Sequence, residues 1–202
     1  MRRPGAEGRD RGRLIAGILL AAGLSSRFGR QKLLEPWHGE PMLRRAARSF
    51  LEAGLTPVIA VVSDDPRLAE ALAGLPLTLA RNPQPERGID SSIAMGVHAL
   101  PGAHPAALIG VADQPYLSAE AIAQLVSAFV PGTIVVPRYG DHRGNPVIFD
   151  RRFFSELMRL VEADRGGQVV VTAHPEAVIE VELPASMGTD IDRPDDWPYP
   201  AV

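Results

Sequence analysis

Leu20-Ala21-Ala22-Gly23-Leu24-Ser25-Ser26-Arg27-Phe28-Gly29-Arg30-Gln31-Lys32-Leu33-Leu34 follows directly on an apolar run that begins at Leu14. Small residues at 21 to 23 admit close approach of a ligand to the backbone, Ser25 and Ser26 add hydroxyls, and Arg27, Arg30 and Lys32 add three cations within six positions. A polyphosphate asks for that combination. Backbone N–H groups can cradle oxygens, Arg27 can fork across two of them, and Lys32 can supply a point charge where negative charge gathers. A turn with a solvated basic face is the plain alternative. The spacing is neither G-x-x-x-x-G-K-[ST] nor G-x-G-x-x-G, so two familiar phosphate loops are excluded.

Outward from this stretch, apolar runs of strand length recur at 14–21, 57–62, 76–80, 106–112, 133–136, 146–149 and 178–183. Several lack alternation, as strands covered on both faces do. Helical periods lie between them. Met42, Leu43, Ala46, Ala47, Phe50 and Leu51 make one stripe, opposite Arg44, Arg45, Arg48 and Glu52. Ile93, Gly96, Val97 and Leu100 repeat the spacing. So do Ile122, Leu125, Val126 and Phe129 after a Ser118 cap, and Phe154, Leu157, Met158 and Val161 after Asp150. Strand alternating with helix predicts an α/β fold: a mainly parallel central sheet, right-handed crossovers and helices on both faces, with a strand or two running antiparallel in the second half. Ligands then belong at the carboxyl ends of the strands.

Composition narrows the class further. The 202 residues are 46% hydrophobic but only 5% aromatic, with Gly and Pro at 19 each, so an aliphatic core is cut by many turns. No Cys is present, which removes disulfides, thiolate metal sites and a cysteine nucleophile, and fits a cytoplasmic protein. Residues 1–13 carry five Arg against Glu7 and Asp10, a net +3, which leaves −6 on the rest of a chain whose formal charge is −3. A basic tail on an acidic body is not a nucleic-acid footprint. The run from Leu14 to Leu24 leads straight into Ser25, Arg27, Arg30 and Lys32, too short for a membrane span, and reads as a buried strand. The expected organisation is a disordered tail at 1–13, one domain at 14–197 and a loose end at 198–202. The five His, at 38, 98, 104, 142 and 174, have no zinc-site spacing.

The opening stretch resembles the signature L-A-A-G-x-S-x-R-[MF]-G-x-x-K of the molybdenum cofactor nucleotidyltransferases, matching at Leu20, Ala21, Ala22, Gly23, Ser25, Arg27, Phe28, Gly29 and Lys32. Further blocks follow in the family's order. Asn82-Pro83 with Gly88-Ile89-Asp90-Ser91-Ser92-Ile93 resembles N-P…G-x-x-x-S-[LI], and Ala112-Asp113-Gln114-Pro115 resembles A-D-Q-P. Gly144-Asn145-Pro146-Val147 resembles G-[HN]-P-V, and Asp190-Ile191-Asp192-Arg193-Pro194-Asp195-Asp196 resembles D-I-D-[TR]-P-E-D. Asp164-Arg165-Gly166 is similar to G-D-x-G, with Ala163 in place of the first Gly. The A-A-G and K-L-L variants are those of the cytidylyl branch, where guanylyl enzymes tend to carry A-G-G.

The residues themselves permit several readings at each block. Asp113 follows an apolar run and so emerges at the sheet's carboxyl edge, where Mg²⁺ needs only one or two protein oxygens, yet Asp113-Gln114-Pro115 is also a fair turn. Asp190 and Asp192, at i and i+2, point the same way in an extended segment, and capping by Asp192 and Asp195 of the turn at 194–197 competes with ligation. Asp90-Ser91-Ser92 opens a helix, with capping by Asp90 the plain alternative to anion or base contact.

The resemblance implies a three-layer Rossmann-like nucleotidyltransferase fold and a direct phosphoryl transfer. An acceptor phosphate attacks the α-phosphorus of a nucleoside triphosphate, CTP favoured, and pyrophosphate leaves. It implies that Leu20 to Gly23, Ser25, Arg27, Lys32, Asn82, Gly88, Ser91, Ser92 and Asp113 bind nucleotide. Arg27, Lys32, Asp113 and Asp192 carry catalysis, and Asp113 and Asp192 hold Mg²⁺, with Mn²⁺ as the alternative. His142, Asn145 and Asp164 line an acceptor pocket for molybdopterin, and a molybdenum hydroxylase apoenzyme receives the product. Alternatives are a guanylyltransferase of the same family, an enzyme acting on a sugar or polyol phosphate, a metal-dependent glycosyltransferase and a non-catalytic nucleotide sensor.

Overall fold

The computed structural model describes residues 15–102, 104–159 and 165–197, so the two expected loose ends, Val161 and Asp164 lie outside the described residues. The chain begins with strands β1 (Ile15–Ala21), β2 (Pro36–Trp37) and β3 (Glu40–Pro41), then helix α1 (Met42–Glu52), β4 (Val58–Val62), α2 (Pro66–Ala71) and β5 (Thr78–Arg81). Helix α3 (Ile89–His98), β6 (Ala106–Val111), α4 (Ala119–Ala128), β7 (Ile134–Tyr139) and β8 (His142–Arg143) come next. They are followed by β9 (Val147–Asp150), α5 (Phe154–Leu157), α6 (Gln168–Ala173) and β10 (Val178–Glu182).

Each of the seven apolar runs forms a strand. The main sheet has the order β10-β7-β9-β6-β1-β4-β5, with β8 paired to β7. β1 lies parallel between β4 and β6, while β9 runs antiparallel to both β6 and β7. The sheet is therefore parallel except at β9 and the short β8. The order turns at β1, since the chain goes from β1 to β4 on one side and returns to β6 on the other. The crevice outside such a switch point is where an open α/β sheet binds ligands.

Both faces of the sheet are covered, which explains why its strands read as continuous apolar runs. All seven β1 residues are buried. Ile15, Leu19 and Ala21 join the core under α1 and α4, with Met42, Phe50, Ile122 and Leu125. Ala16, Ile18 and Leu20 join the opposite core, with Ile93 and Val97 of α3 and with Leu157, Val170 and Val171. Strand alternation thus feeds two cores from one uniform run. A Cβ on Gly96 would run into Ile18 Cγ2, so α3 rides close on β1 because that position is glycine.

Caps and breaks account for the helix limits. Ser118 Oγ accepts from Ala121 N and starts α4, as its sequence predicts. Asp150 Oδ1 accepts from Arg152 N at the 3₁₀ turn Arg151–Phe153. The stripe at 154–161 yields only the single turn of α5 among the described residues. The β2–β3 hairpin, α2 and α6 are too short to show a period. Asp90 does not cap α3: the N-cap is Gly88, at φ 84, and no side chain caps that helix.

Candidate functional site

A cavity of about 440 Å³ opens at the carboxyl ends of β1 and β6. Leu20, Ala21, Ala22, Gly23, Ser25 and Arg27 line one wall, Gly88, Ile89 and Ser92 another, and Lys32, Asp113 and Asp192 the floor. Its size suits a nucleotide. A Cβ at Gly23 would meet nothing within 4 Å, so the backbone there stands open to a ligand.

The loop after β1 is braced from within. Ser25 sits in the left-handed region at φ 52, and its hydroxyl donates to Gln31 Oε1 at 2.9 Å while accepting from Lys32 N at 3.3 Å. Gln31 Nε2 donates to Gly23 O at 3.2 Å. Gln31 is thus the strut that fixes both Gly23 and Lys32, and the sequence reading passed over it. Arg30, the third cation of the loop, turns away to a two-pronged pair with Glu35 at 2.6 and 2.9 Å.

Lys32 Nζ donates to Asp113 Oδ2 at 2.7 Å and to Asp192 Oδ1 at 3.0 Å. Burial works to lower the Lys32 pKa, but the two carboxylates outweigh it and hold the ammonium charged, above its usual range. Arg27 Nη1 donates to the other Asp192 oxygen at 2.8 Å, at the more exposed rim. The four residues with expected catalytic roles therefore form one connected cluster drawn from three distant segments.

Their positions follow from the backbone. Ala112 N donates to Leu20 O at 3.0 Å, which seats the turn after β6 beside the end of β1. Ile191 N donates to Asp113 O at 3.0 Å, and the buried Ile191 side chain anchors the late segment. The turn beyond is capped by Asp196, whose Oδ2 accepts from Arg193 N at 2.7 Å and Asp192 N at 3.0 Å. Capping thus falls to Asp196 rather than to Asp192 or Asp195, leaving the Asp192 carboxylate to Lys32 and Arg27. Beneath these loops Trp37 meets Tyr116 and Trp197 edge-on, and Trp197 meets Phe28, so one aromatic cluster supports all three segments.

Asp190 behaves differently from Asp192. It is absent from the cavity lining, and its carboxylate takes a hydrogen bond from the buried Gln114 side chain. Desolvation, then the negative charges of Asp113 and Asp192, push its pKa up to about 6 against the Gln114 bond and the pull of Lys32. Tyr139, whose hydroxyl donates to Asn145 O at 2.7 Å, has its pKa raised by burial and by Asp190.

The remaining candidates divide. Ser92 faces the cavity, whereas the buried Asn82 lies behind it, its amide donating to Ser91 Oγ at 2.9 Å and Ser92 Oγ at 3.0 Å. Ser91 in turn donates to Gly88 O at 2.8 Å. Asn82 and Ser91 thus shape the first turn of α3 and do not line this cavity. His142 is exposed on β8, and Asn145 precedes β9, away from the cavity lining.

Asp113 Oδ1 is buried without a hydrogen-bond partner, while its other oxygen and Asp192 already share one cationic group. An unsatisfied carboxylate oxygen beside a second carboxylate fits a hard divalent cation. Among the described residues no group of three or more His, Asp or Glu could hold a metal. The protein would supply two oxygens, a donor set that Mg²⁺ accepts when phosphate and water complete its shell.

The chain belongs to the family of MobA-like NTP transferase domains, whose pattern matches residues 17–178. It is 30% identical over 190 residues to the nicotine blue oxidoreductase of Paenarthrobacter nicotinovorans, covering 88% of this chain and 92% of that one. It is 30% identical over 167 residues to a probable molybdenum cofactor guanylyltransferase of Chloroflexus aggregans, covering 79% and 77%. It is 25% identical over 181 residues to the molybdenum cofactor cytidylyltransferase of Escherichia coli, covering 89% and 92%. The crystal structure of Rv0371c from Mycobacterium tuberculosis H37Rv superposes with a TM-score of 0.81 at 24% identity, covering 92% of this chain and 96% of that one. That protein has also been solved as a complex with manganese.

Proposed function

We propose that this enzyme moves a nucleoside monophosphate from a nucleoside triphosphate, CTP in first place, to the phosphate of molybdopterin. The observation that carries the reading is the Lys32 ammonium held between Asp113 and Asp192 on the floor of a cavity walled by Ala21-Ala22-Gly23. The small residues of that wall bring backbone N–H groups to the nucleotide. An oxygen of the acceptor phosphate attacks the α-phosphorus, the bond from that phosphorus to the bridging oxygen breaks, and pyrophosphate departs with the electron pair. No protein nucleophile is needed, so the residues act by alignment and charge. Arg27 and Lys32 offset charge on the leaving pyrophosphate. Asp113 and Asp192 would hold Mg²⁺, or Mn²⁺, which supplies positive charge where phosphate oxygens gather. An acceptor site near His142, Asn145 and Asp164, delivery of the product to a molybdenum hydroxylase apoenzyme and a cytoplasmic setting complete the reading. Among the described residues no helix is long and apolar enough to cross a membrane.

The A-A-G wall favours CTP, while the guanylyltransferase relative is the more similar by identity, so GTP is the second nucleotide to test. The oxidoreductase relative supports a reading in redox chemistry, against which the Arg27, Lys32, Asp113 and Asp192 cluster speaks for phosphoryl transfer. The deciding experiment is pyrophosphate release with Mg²⁺ and molybdopterin, comparing CTP, GTP, ATP and UTP. Turnover with CTP alone is the expected result. Preference for GTP moves the protein to the guanylyl branch, and no turnover with any triphosphate overturns the assignment of this acceptor.

A further inference from the structure

Asp90 stands in the first turn of α3 at 1% exposure, and its Oδ1 accepts from Gly166 N at 2.9 Å across 76 residues of sequence. A polar side chain that deep is costly unless hydrogen bonds compensate it. Here the Gly166 amide supplies one.

The turn it grips has little room to sit elsewhere. A Cβ on Gly166, at φ +57, would lie 3.3 Å from Ile89 Cγ2 and 3.6 Å from Ile93 Cδ1. On Gly167 it would lie 2.7 Å from Phe149 Cζ of β9. The two glycines thus wedge between α3 and the antiparallel strand, and the carboxylate of Asp90 fastens them there. Its neighbours Gly88, Ile89 and Ser92 line the cavity.

We propose that Asp90 is a positioning residue that clamps the Gly166 amide and thereby holds the first turn of α3, with Ile89 and Ser92, in register with the bound nucleotide. The proposal rests on the nucleotidyltransferase reading for its effect on substrate, but not for the clamp itself. Nucleotide that orders the first turn of α3 also tightens the turn at 165–167, and the converse holds because such coupling is reciprocal.

The test compares wild type with Asp90→Ala and Asp90→Asn, since the Asn Oδ1 can still accept from Gly166. Amide hydrogen exchange is followed by NMR at Gly166, with and without Mg²⁺ and CTP or GTP. In the free protein Asp90→Ala speeds Gly166 exchange by about tenfold, as loss of its buried hydrogen bond predicts. It also raises KM for the triphosphate by about tenfold while kcat stays within about twofold. Asp90→Asn recovers most of both effects. Asp90→Ser, whose hydroxyl is too short to span the gap, replaces the alanine variant if that one does not fold. Unchanged Gly166 exchange in a folded variant overturns the clamp, and faster exchange with unchanged KM overturns its role in positioning nucleotide. If wild type binds no triphosphate, the functional reading fails, while the exchange comparison in the free protein still decides the clamp.

Discussion

The Lys32 ammonium lies 2.7 Å from Asp113 Oδ2 although 81 residues separate the two in sequence. The contact joins the loop after β1 to the turn after β6, and those strands are neighbours through parallel pairing from Ile15↔Ala106 to Leu20↔Val111. Strand register therefore sets the distance between two side chains of the candidate site.

Replacing Lys32 by Ala removes the cation proposed to offset charge on pyrophosphate and leaves the carboxylates of Asp113 and Asp192 without their shared partner. kcat/KM for the triphosphate falls by about 10²- to 10³-fold, the size seen when one preorganised charge donor is lost. Steady-state pyrophosphate release measures the loss, and an unchanged far-UV circular dichroism spectrum checks that the fold persists.

Asp113→Asn keeps the shape of the side chain, replaces one carboxylate oxygen by an amide nitrogen and removes the negative charge. Mn²⁺ affinity, read from the loss of the free-ion electron paramagnetic resonance signal, drops by about tenfold or more. Affinity equal to wild type would remove Asp113 from the ion site.

Asp190 gives a pH signature to metal-free protein. Its folded pKa of about 6 lies above the ordinary aspartate value of 3.8, so the native state holds this proton more tightly than the unfolded chain does. Its contribution to stability is therefore present below pH 4, declines as pH rises toward 6, and is gone above that. With a chelator present, Asp190→Asn is more stable than wild type at pH 8 and loses that advantage by pH 4. Urea unfolding at the two pH values reads the difference.

Gly96→Ala tests the packing that seats α3. The added Cβ meets Ile18, and Val61 Cγ2 stands 3.1 Å away, so the helix must shift outward. Overpacking of this kind costs about 1–3 kcal/mol, measurable by urea unfolding. Nucleotide KM rises as well, because Ser92 moves with the helix.

The parts of this molecule that were legible in sequence are those written in contiguous residues. The buried run of β1 and the loop from Leu20 to Lys32 sit side by side in the chain, so their apolar pattern and their chemistry could be read together. Which strand of the second half runs antiparallel could not, because a run of three apolar residues and an aspartate carries no direction; pairing with β6 and β7 fixes it for β9. At Asp90 the sequence leaves capping open beside anion or base contact, because nothing local to it announces that its carboxylate accepts from Gly166, 76 residues away. Among Asp190, Asp192, Asp195 and Asp196 composition alone does not separate cap from ligand. The backbone bonds of Asp196 identify the cap, and Asp192 is the one that reaches Lys32. Asn82 matched a motif of nucleotide contacts, yet its amide is spent on Ser91 and Ser92.

The bond between Arg27 and Asp192 spans 165 residues. During synthesis the ribosome releases the loop at 20–34 well before the segment that carries Asp192, so the cluster cannot exist until that later segment has emerged. A polypeptide that stops before Asp192 therefore carries the loop without the carboxylate that joins Arg27 to Lys32.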